Sequence, residues 1–105
     1  MQISISGQHM DITESLRNHV EDKMQKISRH FDHVTNTHVV LHVEKNHHQA
    51  EATINGKGIQ IHATGQANDM YSAIDAMTNK LDRQVLKHKE KQSSHRGDSA
   101  AVSSD

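Results

Sequence analysis

A chain of 105 residues has room for one domain with one modest core. Hydrophobic residues make up 32% and mean hydropathy is −0.83, so that core must be economical. The lack of cysteine excludes a disulfide scaffold and thiol chemistry and fits a reducing compartment. No apolar run approaches the ~18 residues of a membrane span, and no basic-then-apolar opening reads as a signal peptide.

The net charge of −1 hides an uneven distribution. Residues 80–96 carry Lys80, Arg83, Lys87, Lys89, Lys91 and Arg96 against Asp82 and Glu90, a local net of +4, while residues 1–79 are net −3. A nucleic acid meets local potential rather than total charge. Eleven histidines stand beside one Tyr, one Phe and no Trp. That aromatic shortage argues against the base-stacking mode of single-strand binding, which needs several exposed rings.

Gln2 to Ser6 alternates with Ile3 and Ile5 on one face, a short strand that Gly7 is expected to stop. Asp11 or Thr13 can cap the helix that follows, and Asp11 and Glu14 have the capping-box spacing. The helix is expected to reach about Phe31, with Ile12, Leu16, Val20, Met24, Ile27 and Phe31 on its apolar arc. One flank of that arc carries His19, Lys23, Lys26, Arg29, His30 and His33, with Asp22 the exception among them. Glu14 and Glu21 lie on the other side.

Thr35 to Glu44 alternates as a strand with Thr37, Val39, Leu41 and Val43 on its buried face. Lys45 to His48 reads as a turn and Gln49 to Ile54 as a weaker strand. Asn55-Gly56 is a strong hairpin signal, although Lys57-Gly58 can lengthen the loop. Ile59 to Thr64 alternates again, and Gly65 to Asn68 leads into the last helix, capped by Asn68 or Asp69.

In that helix Met70, Ile74, Met77, Leu81, Val85 and His88 share one arc. Lys80, Arg83, Lys87 and Lys91 line one side of it, while Asp75 and Asp82 line the other. A helix merely kept soluble interleaves its charges; here, as in the first helix and on the same-handed flank, the signs are sorted. Lys89 falls off the main row. Residues 92–105 are Ser-rich without an apolar period and are expected to be a disordered tail. The domain is therefore 1–91, an α+β fold in the order β-α-β-β-β-α. Its simplest form is two layers, with both helices on one face of a four-stranded sheet.

Rows of Lys and Arg three and four apart on a helix suit phosphate contacts. His19, His30 and His33 would strengthen the first row as pH falls toward 6. The other chemistry has less behind it. His38 and His42 share a strand face but stand ~13 Å apart at ~3.3 Å per residue. His47-His48 sit in the expected turn, and no zinc-type spacing occurs, so neither metal nor cofactor is expected. Ser, His and Asp residues are scattered without a nucleophile motif. Arg96-Gly97-Asp98 in the tail reads as chance.

The last helix, DMYSAIDAMTNKLDRQVLKHKEK, resembles the signature helix of the ribosome hibernation promoting factors, the family that includes ribosome-associated inhibitor A. The opening GQHMDITESLRNHVEDKMQKISRHFD and the middle VVLHVEKNHHQAEATINGKGIQIHATGQANDMY are similar to the same family's first helix and three-stranded segment. The resemblance covers about residues 1–91 and is closest to the short form. It implies a fold like that of double-stranded-RNA-binding domains and a non-enzymatic factor without a small-molecule substrate or membrane partner. It further implies a cytoplasmic protein, monomeric off the ribosome. The partner implied is the decoding region of the small subunit, on 16S ribosomal RNA, in the path of messenger RNA and of A- and P-site tRNA. Short forms promote 100S dimers with ribosome modulation factor, whereas inhibitor-type members keep 70S monomers inactive. A generic structured-RNA binder is the remaining alternative. Carried over position by position, the family's RNA contacts fall on Lys23, Lys26, Arg29, Lys80, Arg83, Lys87, Lys89 and Lys91.

Overall fold

The computed structural model describes residues 2–29 and 34–93, the last six as backbone only. The elements are β1 (Gln2–Gln8), α1 (Glu14–Ser28), β2 (Val34–Glu44), β3 (His47–Gly56), β4 (Ile59–Ala67) and α2 (Met70–Ser93). They form one four-stranded sheet in sequence order. β1 runs parallel to β2, as a strand-helix-strand crossover requires, and β2, β3 and β4 follow as antiparallel hairpins. Both helices cover the same face, giving the two layers that single apolar arcs imply.

The core lies between the layers. α1 contributes Leu16, Val20, Met24 and Ile27, and α2 contributes Met70, Ala73, Ile74, Met77, Leu81 and Val85. Val39 and Leu41 of β2 meet them with Ala50, Ala52, Ile54, Ile61 and Ala63 of β3 and β4. Phe31 lies outside the described residues, and His88 falls in the backbone-only segment.

Two glycines expected to end strands instead lie within them. β1 continues through Gly7 to Gln8, with Gly7 paired opposite Leu41, and β4 continues through Gly65 to Ala67. In each case a second backbone crosses where a side chain would stand. A Cβ on Gly7 would lie 2.6 Å from the Met10 carbonyl oxygen, where the chain doubles back through His9 at φ 64°. A Cβ on Gly65 would collide with the Ala73 carbonyl oxygen and the Met77 amide nitrogen, so α2 rests directly on β4.

The hairpins are also shifted. Asn55-Gly56 stays in β3, and the turn is Lys57-Gly58, with Gly58 at φ 74°. Asn55 is held in the sheet by its own hydrogen bonds: its carbonyl accepts from Thr35, its amide donates to Asn36, and its side-chain oxygen accepts from Gln60. The β2–β3 turn is only Lys45-Asn46, so His47 and His48 begin β3 rather than fill a loop.

Helix starts follow capping chemistry. Thr13, not Asp11, caps α1, its hydroxyl accepting from the Leu16 amide at 3.2 Å. Asp69 caps α2, accepting from the Ser72 amide at 3.0 Å. α1 closes at Ser28 with Arg29 as its cap. α2 runs two residues into the stretch expected to be tail, and residues 94–105 lie outside the described residues.

Two outcomes follow from this packing. Gly65→Ala should lower stability by about 1–3 kcal/mol, the range for overpacking a tight contact, because the added methyl meets helix backbone that cannot rotate away. Urea unfolding measures it. Hydrogen bonding from Ser72, side chain first and amide second, holds the Asp69 carboxyl below its ordinary range. A depressed folded-state pKa means that this cap stabilises above the ordinary carboxylate range and is lost as pH falls through the folded value. Asp69→Ala should therefore lower Tm at pH 7, and the gap to wild type should close as pH falls toward 3.

Candidate nucleic-acid interface

The described cations of interest all sit on the helical layer. On α1, Lys23 and His19 turn toward α2 and Lys26 and Arg29 stand on the exposed side. His19 Nε2 lies 2.9 Å from Asp75 Oδ1, and Lys23 Nζ lies 3.5 Å from the same oxygen. The His19 ring meets Tyr71 edge-on, with centroids 5.1 Å apart. Lys26 pairs with Asp22 one turn back, at 3.7 Å. His30 and His33 lie outside the described residues.

On α2, the Lys80 ammonium donates to the Thr64 carbonyl at 2.9 Å and the Gln84 amide donates to the His62 carbonyl at 2.8 Å. Both acceptors belong to β4, the edge of the sheet. Arg83 and Lys87 are exposed beyond them. Lys89 and Lys91 fall in the backbone-only part of α2.

These contacts fix how the two rows lie. Along α2, Ala73 and Met77 cross Gly65, Lys80 reaches Thr64 and Gln84 reaches His62, so α2 runs antiparallel to β4. Positions on α1 and α2 rise together, His19 against Tyr71 and Asp75 and Lys23 against Asp75, so the helices run in the same direction. Two parallel helices with cations on the same-handed flank cannot turn those flanks toward each other. The cationic flank of α1 meets the acidic flank of α2, while the cations of α2 overhang β4. The result is two cationic tracks about one helix spacing apart, ~8–10 Å, with Asp75 between them. They do not merge into one patch.

The two tracks are held differently. A carbonyl orients the Lys80 ammonium without cancelling its charge and occupies one of its three donors. Asp75 opposes the charge of Lys23 directly. Neither pairing forbids anion binding, since exposed ion pairs contribute only about 0–1 kcal/mol. Sequence reasoning placed Asp75 on the far flank but missed its partners, and it missed Gln84 altogether. The parallel run of the helices, implicit in the β-α-β-β-β-α order, was the signal available.

No described helix covers the opposite face of the sheet, which is polar. His62 pairs with Glu51 at 2.9 Å and His42 with Glu44 at 3.7 Å, while His9 meets the His42 ring edge-on. Among the described residues no three His, Asp or Glu side chains converge as metal ligands. None of the described helices is long and apolar enough to cross a membrane.

Residues 3–93 match the family model described as Sigma 54 modulation protein / S30EA ribosomal protein. The chain belongs to this family. A ribosome hibernation promoting factor of Pseudomonas putida is 48% identical over 94 residues, covering 90% of this chain and 92% of the relative. One from Azotobacter vinelandii is 47% identical over 92 residues, covering 88% and 86%. Among solved structures, a ribosomal subunit interface protein from Coxiella burnetii superposes with a TM-score of 0.82 at 33% identity, covering 87% of this chain and all of that one. Membership brings a ribosome-associated role in hibernation without enzymatic chemistry.

Proposed function

We propose that the chain binds the small ribosomal subunit at the decoding region, through phosphate contacts on 16S ribosomal RNA. There it occupies the path of messenger RNA and of A- and P-site tRNA and keeps ribosomes idle in stationary phase. The observation that carries this reading is the pair of cationic tracks on one exposed layer, Lys23, Lys26 and Arg29 on α1 and Lys80, Arg83 and Lys87 on α2. Lys89 and Lys91 join the second track on the family resemblance.

Two parallel tracks suit two separate stretches of folded RNA backbone better than one extended strand. The layer offers little for reading bases: Tyr71 is its one exposed aromatic among the described residues. Recognition then comes from the shape of the RNA and the placement of its phosphates. Occupying a preformed channel needs no chemistry, only a rigid body of the right shape with charge on the correct side. On dimerisation, we assign the chain to the side that promotes 100S particles together with ribosome modulation factor, following its likeness to short-form members.

Each phosphate neutralised releases counterions, so affinity falls with salt at about 0.7–0.9 log units per contact and decade. Changing Lys80, Arg83 and Lys87 together to Ala should weaken binding to 30S subunits at least about tenfold and flatten the salt dependence by about 2–3 units. The fold should survive, because these side chains stand off the buried arc. Cosedimentation with 30S subunits over a salt series, beside a thermal melt, measures both. Wild-type affinity in the folded triple variant would reject the α2 track as the contact. Gradients of ribosomes mixed with the protein and ribosome modulation factor test the dimer assignment: a persistent 70S peak would favour the inhibitor-type alternative.

A further inference from the structure

Asp75 reaches both cations that α1 turns to the seam, His19 at 2.9 Å and Lys23 at 3.5 Å. The pair is only partly buried, with the Lys23 side chain 33% exposed and that of Asp75 46%. Such pairs add little to stability, and both helices are already anchored in the core, α1 by buried Val20 and Met24 and α2 by buried Ile74 and Leu81. Its larger effect is on the potential outside. A carboxylate beside an ammonium cancels most of its pull on an approaching phosphate. Lys80, by contrast, is held at 2.9 Å by a neutral carbonyl and keeps its charge. The Thr64 contact leaves the charge of Lys80 unopposed, whereas Asp75 restrains Lys23.

We propose that Asp75 is a specificity-determining residue of this interface, one that withholds Lys23 from RNA presented out of register. The proposal rests on the reading that the helical layer binds RNA. An ammonium has three N–H donors, so a phosphate arriving over the seam can share Lys23 without breaking its pair with Asp75. A phosphate elsewhere must draw Lys23 away and leave the carboxylate unpaired beside more negative charge. RNA that meets only the α2 track gains nothing from α1, whereas RNA shaped to meet both tracks gains Lys23 at little cost. This is discrimination by a repulsive element placed inside an attractive surface.

The test compares 30S subunits with a generic RNA duplex at one salt concentration, using the full chain. Asp75→Asn keeps the shape and an acceptor oxygen but removes the charge. It should tighten duplex binding about three- to fivefold, the equivalent of one exposed ion pair, and change 30S binding by less than about twofold. Asp75→Ser should do the same, so the outcome does not hang on one variant's folding. Lys23→Gln should leave duplex affinity of the wild type nearly unchanged yet abolish the gain in the Asp75→Asn background, a coupling that a merely structural role would not produce. Glu44→Gln, on an exposed residue at the end of β2, makes the same change in net charge and should leave both affinities unaltered. Equal shifts in Asp75→Asn and Glu44→Gln, or a gain that survives loss of Lys23, overturns the proposal while leaving RNA binding intact. A wild type that binds neither RNA in a salt-dependent way rejects the RNA reading first, and this proposal with it.

Discussion

The seating of α2 on β4 is the constraint on which the rest of the molecule depends. Gly65 lets helix backbone lie against strand backbone, and Ala50, Ala52 and Ala63 keep the neighbouring surface low. That contact leaves α2 little freedom to rotate or slide. It brings Lys80 and Gln84 within reach of the β4 carbonyls and turns Asp75 toward α1. Small residues in the sheet thus decide where the charges of the exposed layer stand. The sheet edge benefits as well: two carbonyls at the margin of β4 are occupied by side chains of the same molecule, which blunts a strand edge otherwise open to pairing.

Much of the fold was legible in the chain because its signals are periodic. The arcs Leu16, Val20, Met24, Ile27 and Ile74, Met77, Leu81, Val85 are buried as the helical period predicts, and β2 buries Thr37, Val39 and Leu41 in alternation. What could not be read depends on where the chain folds back against itself. Gly7 and Gly65 read as stops because local rules treat glycine as punctuation, yet each marks a crossing backbone. Asn55-Gly56 read as a turn because nothing local reveals that Thr35, Asn36 and Gln60 hold Asn55 in register. His47-His48 read as loop because histidine carries little strand signal of its own.

The candidate site divides the same way. Sorting of charge on each helix is a one-dimensional property and is visible in the sequence. Whether two sorted helices pool their cations or oppose them depends on direction and packing. Here the same-handed sorting nests a basic flank into an acidic one at the His19, Lys23 and Asp75 cluster. The histidine with a described position on the α1 row, His19, faces that carboxylate rather than the open side of the layer. Family membership supplies the ribosome, and the proposed two-track contact would account for how a chain with net charge −1 binds it through RNA.

The claim that two separate tracks meet two separate stretches of small-subunit RNA is open to direct mapping. The chain lacks cysteine, so Asn18→Cys on α1 and Asn79→Cys on α2 each offer a single exposed tether for an iron chelate. Hydroxyl radicals released from each, with the protein bound to 30S subunits, cut the backbone beside its own helix. Two distinct sets of cuts, both within the decoding region and one for each tether, is the predicted result. Cuts confined to another part of the subunit, or one identical set from both tethers, would contradict it.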